Sequence, residues 1–461
     1  MLSDHPINNS ASDAAPVAKI IIFSLAVRWI YCLILYGLMG NAGITGVDSG
    51  SLLPLGESFA KALVNGTLHG WQWVGTEPLI MPLFTWLVAI NVAIFGKWAV
   101  LSYVLSQCVL DTATCYLVYR IAREVYPAAA IPALVAAAIN PTQIVLSGFF
   151  YTDTPFAFFA ALFLLGSAGW LKVTTWRAAL LIGIGLGGGL LIRPVMAPWA
   201  PVVLVFFLVS ATLRRKLSLQ CFGQIVLAGL VFCVCAGAIM MRNATDYGAW
   251  SLTPQSGMHL SRWIVPLVRE AKDGTPWAIT ADDTERRTAE RFGPVTKNPF
   301  EQSQRYRAVA MEDLSQLGLA AIAKAWGTGA AINLAAPSVI LSPPVSQLPR
   351  TGFYATRGDT ALEKIENFLF RSDNAIYAWI LLAGIAGVAT MRLLQLAGAF
   401  ALLRAGANPW IMLLFAGWCL YILLANGPIA SPKYRLPIEP VLTVLTGIGI
   451  AALLRGRRRS G

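Results

Sequence analysis

Two aspartates stand beside long apolar stretches, Asp48 in Gly46-Val47-Asp48-Ser49-Gly50 and Asp153 in Tyr151-Thr152-Asp153-Thr154-Pro155. A carboxylate at such a boundary can meet a lipid headgroup on one side and an aqueous hydroxyl on the other, a setting suited to general-base chemistry. Each also has an ordinary use, since Asp is favoured in turns and Thr152 or Asp153 would cap a helix with Pro155 in its first turn. Four basic residues occupy the same kind of boundary: Arg193, Arg242, Lys433 and Arg435. An Arg fork or a Lys point charge would bind phosphate at a membrane surface. Snorkelling to lipid headgroups is the competing use of such cations.

The elements that position these groups are set by composition. The 461 residues are 56% hydrophobic and 13% charged, with a mean hydropathy of +0.62, which excludes an ordinary soluble domain and makes the bilayer the solvent. The expected fold class is an all-α polytopic membrane protein. Apolar stretches fall at 19–39, 98–119, 128–150, 154–171, 178–192, 195–213, 219–241, 376–400, 407–426 and 436–454, giving about ten transmembrane helices for a ~30 Å hydrocarbon core. A further stretch, 78–96, is read as a re-entrant or surface helix. If it does not cross, the loops with Arg120/Arg123, Lys172/Arg177, Arg214 to Lys216, Arg392/Arg404 and Arg455 to Arg459 share one side with Lys19, as the positive-inside rule demands of a cytoplasmic face.

The same reasoning assigns 40–97, the turn at 151–153, Arg193/Pro194, 242–375 and 427–435 to the outer face, so the candidate residues share it. The expected organisation is a cytoplasmic tail at 1–18, a transmembrane module at 19–241 whose first external loop is 40–97, a large external loop at 242–375, C-terminal helices at 376–454 and a basic tail at 455–461. Within the large loop, 280–316 carries the charge pattern of a solvated helix, 317–336 could lie on the membrane or dip into it, and 337–349 is a Pro-rich loop. Arg28 and Asp111 lie inside apparent spans and are expected to face the bundle interior. The seven cysteines all fall in apolar segments, so neither a disulfide nor a zinc site is read. The net charge of +12 sits largely in short loops beside membrane helices, which explains it by insertion and argues against a nucleic-acid partner. Met1 to Pro16 has no basic n-region, so the first apolar run reads as a retained helix.

These residues also resemble a known class, the GT-C fold membrane glycosyltransferases, in the branch of protein mannosyltransferases and aminoarabinose transferases. The likeness lies in shared order. Asp48 followed by Gly56 to Gly66 resembles the first external loop of the class, with Ser49 where a second acid often stands. Pro78 to Gly96 resembles its Pro-rich helix, and Asn140-Pro141 through Asp153 the stretch with its second acid. Leu190 to Pro194 is similar to its LTRP element, Arg242-Asn243 with Gly248 to its entry to the large loop, and Tyr434-Arg435-Leu436-Pro437 to its RYRLP element. Glu77 departs from the pattern, standing where relatives tend to have basic or aromatic residues, and no DxD motif accompanies Asp48.

The resemblance implies a GT-C bundle and an inverting glycosyltransferase that takes a sugar from a polyprenyl-phosphate carrier. It implies Asp48 as general base, Asp153 as a group positioning acceptor or base, and Arg193, Arg242, Lys433 and Arg435 as contacts for the leaving phosphate. No cofactor is required by it; a divalent metal shared by Asp48 and Asp153 is possible but not implied. The expected partners are the lipid-linked donor, a hydroxyl-bearing glycan, lipid or protein acceptor, and membrane lipids. The expected location is a bacterial inner membrane with the site facing the periplasm. A glycan ligase, a flippase, or a non-catalytic membrane subunit of an envelope assembly complex are the rival readings.

Overall fold

The structure, a computed structural model, describes residues 14–46, 48–348, 357–371 and 375–460. Parts of the expected tail at 1–18, of the loop at 242–375 and of the tail at 455–461 therefore lie outside the described residues. The described chain is helical. In order it forms α1 (Ala14–Met39), α2 (Ser49–Val64), α3 (Pro82–Phe95), α4 (Ala99–Val125), α5 (Ala130–Ala138), α6 (Pro141–Ser147), α7 (Asp153–Lys172), α8 (Trp176–Ile192), α9 (Met196–Leu213) and α10 (Leu219–Tyr247). There follow α11 (Gln255–His259), α12 (Val265–Asp273), α13 (Trp277–Phe292), α14 (Pro299–Leu317), α15 (Leu319–Ala335), α16 (Pro343–Ser346), α17 (Ala361–Phe370), α18 (Ala375–Arg404), α19 (Pro409–Asn426) and α20 (Glu439–Ser460).

Among the described residues, 8 helical stretches are long and apolar enough to cross a membrane, and 9 if the bent pair around Asn140 counts as one span. Every one of the expected stretches is helical, but the count differs at α8, whose 17 residues rise only about 25 Å. The protein is an integral membrane protein. Within the stretch at 78–96, α3 has 14 residues, a rise of only about 21 Å. Phe84 of α3 touches Tyr103 of α4 at 5.6 Å, while Asn91, two turns further on, accepts a 2.7 Å bond from the neighbouring Ser102. Contacts seven residues apart on α3 thus meet adjacent residues on α4, so α3 lies across the end of α4. Gly96, with φ +51, makes the reversal.

The expected single span at 128–150 is broken, at 47°, between α5 and α6. Pro141 has no N–H to continue the ladder, and Asn140 caps α6 by accepting from the Thr142 N–H. The carbonyls orphaned by the break are met from α1. Arg28 donates to Ala137 O and Ala138 O at 3.2 and 3.0 Å, and to Ser24 Oγ at 2.7 Å. Its charge is matched by Asp111 of α4 at 2.5 Å, and Gln143 of α6 donates to the other Asp111 oxygen at 3.2 Å. Arg28 and Asp111 are both fully buried. One ion pair therefore ties together α1, α4, α5 and α6.

Close helix approach does the corresponding work for α8. A Cβ on Gly185 would stand 2.5 Å from the backbone of Phe163 in α7, and one on Gly183 3.2 Å from the backbone of Ala228 in α10. Small residues let backbones meet where no hydrophobic drive exists between lipid-solvated helices. On the far side, Phe163, Trp199, Trp418 and Tyr421 form a ring cluster between α7, α9 and α19. Trp418 also donates to Pro437 O at 3.0 Å, which fixes the 3-10 segment Pro432–Ile438.

The stretch after α10 splits in two. Helices α12, α13 and α14 form a small cluster laced by Arg287 with Asp283 and Asp313 and by Arg291 with Glu312, with Asn298 capping α14. By contrast α15 packs on α12, α19 and the segment Pro432–Ile438. The Pro-rich segment after it turns inward, where Ser342 bonds Tyr31 of α1 at 2.9 Å and Ser338 bonds Thr142 at 2.8 Å.

Replacing one member of a buried ion pair strands the other charge, at about 3–5 kcal/mol. Arg28→Met and Asp111→Asn should each lower the apparent unfolding temperature in detergent. Arg28→Met combined with Asp111→Asn should lose less than the two single losses summed, as a double-mutant cycle measures.

Candidate active site

The loops that carry the two aspartates are stitched together. Phe150 N–H donates to Ile44 O at 2.8 Å, and Ser49 donates to Phe150 O at 2.9 Å while accepting from the Gly46 N–H at 2.9 Å. Ser49, the position of the missing second acid, serves here as the staple between loops. Gly46 lies so close under Tyr151 that a Cβ would stand 1.8 Å from the phenol oxygen. The 149–151 loop is held in turn by α4, with Tyr103 donating to Tyr151 O at 3.1 Å and Gln107 to Phe149 O at 2.6 Å.

On this base each aspartate meets a cation. Asp153 opens α7 without capping it, and its Oδ1 accepts from Arg193 Nη1 at 2.5 Å. Arg193 is the extended residue that ends α8, so the glycine contacts between α7 and α8 set the reach of this pair. Asp48 Oδ2 accepts from Lys433 Nζ at 2.5 Å. The Lys433 ammonium also lies 5.3 Å from the Tyr151 ring and 5.1 Å from the Tyr434 ring, favourable cation–π placements. Asp48, Asp153, Arg193 and Lys433 thus form one quartet with Tyr151 and Tyr434 around it. Asn333 at the end of α15 holds the strap before Lys433, donating to Ile429 O at 3.0 Å and accepting from Ser431 N–H at 2.7 Å.

The other two expected cations are placed elsewhere. Arg435 is buried, with Nε on Glu439 at 2.6 Å, Nη1 on the carbonyls of Asn333, Leu334 and Ala336, and Nη2 on Thr142 and Ser338. These bonds occupy its fork in joining α15, α6 and α20, beside an apolar cavity of about 540 Å³ bounded by α5, α18 and α20. Arg242 is also buried. Its Nε donates to Asn243 and its Nη1 to the carbonyls of Gly75 and Glu77 at 3.1 and 3.2 Å. Among the described residues, Nη2 has no hydrogen-bond partner, which is costly for a buried charged group and leaves a donor for a bound anion. Burial lifts the nearby Glu77 carboxyl above its ordinary range, against the pull of the Arg242 charge.

His259, which carries no signal in the sequence, ends α11 with its surface exposed, and the protein around it, then the Arg193 charge, hold its imidazole below its usual range. Among the described residues, no three His, Cys, Asp or Glu side chains converge in a set fit for a metal ion.

A histidine whose folded-state pKa is depressed binds its proton less readily than in the unfolded chain, so it lowers stability as pH falls through about 6.5. Between pH 7.5 and 5.5 the apparent unfolding temperature of the wild type should fall further than that of His259→Gln. Parallel curves would contradict this placement.

Comparison with known proteins gives the arrangement its setting. Residues 77–240 match the family model of dolichyl-phosphate-mannose-protein mannosyltransferases. No curated protein matches the chain in sequence. Among solved structures, it is similar to the archaeal oligosaccharyltransferase AglB of Archaeoglobus fulgidus in complex with an inhibitory peptide and a dolichol-phosphate, at TM-score 0.51 and 15% identity, over 96% of this chain and 52% of that one. The oligosaccharyltransferase of that organism in complex with Zn and sulfate aligns at TM-score 0.53 and 15% identity, over 95% and 49%. The chain therefore spans about half the length of the oligosaccharyltransferase chains it matches. ArnT from Cupriavidus metallidurans bound to undecaprenyl phosphate aligns at 15% identity over 96% and 78% with a TM-score of 0.40, too low to bear on the fold. Built from these helices and aligned over nearly its whole length, the chain has the fold of the GT-C membrane glycosyltransferases.

Proposed function

We propose that the protein is an inverting glycosyltransferase that moves a sugar from a polyprenyl-phosphate carrier to an acceptor hydroxyl, with Asp48 as the general base. The observation that carries this reading is the quartet: two carboxylates and two cations from four separated parts of the chain meet on one pair of stitched loops. The acceptor proton passes to a carboxylate oxygen of Asp48 as the acceptor oxygen attacks the anomeric carbon. The bond from that carbon to the phosphate oxygen breaks on the opposite side, and the phosphate leaves with the electron pair.

The carrier phosphate goes from one negative charge as a diester towards two as a monoester. Cations aimed at it therefore bind the transition state more strongly than the substrate. In this reading Lys433 and Arg193 take that role at the quartet, and Arg242, whose Nη2 has no partner among the described residues, is a further contact for the phosphate. Arg435 was expected among them, but its bonds give it the part of a brace for the segment that bears Lys433. Asp153, held by Arg193, positions the acceptor or the base. In this reading side chains supply the charge stabilisation, the protein resides in a bacterial inner membrane, and the quartet faces the periplasm. The family match, to enzymes described by their dolichyl-phosphate-mannose donor, supports the lipid-linked donor class.

The test is release of free polyprenyl phosphate from a radiolabelled lipid-linked sugar pool by membranes containing wild type, Asp48→Asn or Asp153→Asn. At equal folded protein, Asp48→Asn should lose about 100-fold or more, as expected for a positioned base. Full activity in Asp48→Asn would remove the proposed base. No release from any common carrier by the wild type would favour a ligase, a flippase or a non-catalytic subunit.

A further inference from the structure

In the quartet Asp48 faces Lys433 and Asp153 faces Arg193. A carrier phosphate brings negative charge that competes with both carboxylates for these two cations. The two pairs are held very differently. The Asp153 side chain is 2% exposed and its partner Arg193 26% exposed, so separating them strands a carboxylate out of reach of water. The Asp48 side chain is 49% exposed, and water or an acceptor hydroxyl can replace its cation.

Lys433 is also the cation built to move. Its ammonium is a point charge on a flexible stem with no fixed fork to satisfy, unlike the guanidinium of Arg193. It sits between the rings of Tyr151 and Tyr434, which attract a cation over a broad face and do not tie it to one acceptor. A phosphate that gains charge during the reaction also competes better for the ammonium as the bond breaks.

We propose that the Asp48–Lys433 ion pair is a lock that the carrier phosphate opens. The phosphate draws Lys433 away from Asp48, which removes that cation from the Oδ2 that is to accept the acceptor's proton when donor is bound. The ammonium keeps its proton and no covalent bond changes in this exchange; one anion replaces another. Donor binding therefore precedes productive acceptor binding, and the base is held inactive towards water in the empty enzyme. This inference rests on the reading of the quartet as a carrier-phosphate site.

Because Asp48 competes with phosphate for Lys433, removing its charge should improve carrier binding while abolishing turnover. The experiment is calorimetric titration of purified full-length protein with a polyprenyl monophosphate, at one salt concentration, for wild type, Asp48→Asn, Lys433→Gln and the double variant. Asp48→Asn should bind about three- to tenfold more tightly than wild type, the range expected for loss of a competing, part-exposed ion pair. Lys433→Gln should bind more weakly, and the double variant should match Lys433→Gln, with no gain from Asp48→Asn. Equal or weaker binding by a folded Asp48→Asn, or a gain that survives in the double variant, overturns the lock while leaving the carrier-phosphate reading standing. Absence of carrier binding by the wild type and all variants overturns both. A gain for phosphatidic acid without one for polyprenyl phosphate assigns Lys433 to headgroups of bulk lipid and overturns the lock.

Discussion

The break between α5 and α6 is the constraint on which the site depends. A membrane-buried helix cannot leave carbonyls unmet, because neither lipid nor apolar side chains offer a donor. The chain stops its ladder at Asn140-Pro141 and answers the loss with Arg28, whose charge then demands Asp111. The gain is direction: α6 leaves the break at a new angle and delivers Phe149, Phe150 and Tyr151 to the place where they can hold the Asp48 loop. A straight helix through 128–150 would carry those residues along the α5 axis and separate the two aspartates.

The second level of organisation is charge. Arginine recurs in three roles distinguished by what meets its fork. Arg28 and Arg435 are surrounded by carbonyls and one carboxylate each and act as braces. Arg193 holds Nη1 against the buried Asp153 while its side chain stays partly exposed, and Arg242 keeps a buried donor with no partner among the described residues. Lys433 couples a mostly buried stem to a carboxylate that water can reach. These differences in satisfaction, more than the presence of positive charge at a membrane boundary, separate structural cations from those able to engage a ligand.

Much of this was legible in the residues. Long apolar runs name the helices because hydrocarbon imposes length and composition together, and the distribution of Arg and Lys put Asp48, Asp153, Arg193 and Lys433 on one side. The close approach of α8 was readable from its glycines. The rest was hidden by sequence distance. Lys433 meets Asp48 across 385 positions, and nothing in either motif specifies the partner. Ser49 and His259 acquire their places only through folding, as a staple and as a crowded imidazole. Arg435 shares its motif with Lys433 yet meets a different set of partners, a distinction that a seven-residue pattern does not encode. The break at Asn140-Pro141 interrupts an otherwise uniform apolar run, and its resolution depends on an arginine 110 residues away.

The most direct measurement is a high-resolution electron cryomicroscopy structure of the full chain in lipid nanodiscs with a polyprenyl monophosphate bound. The account predicts phosphate oxygens within hydrogen-bond distance of Lys433 Nζ, an Asp48 carboxylate released from that ammonium, and the Asp153–Arg193 pair retained. A phosphate bound away from the quartet, with Lys433 still on Asp48, would contradict it.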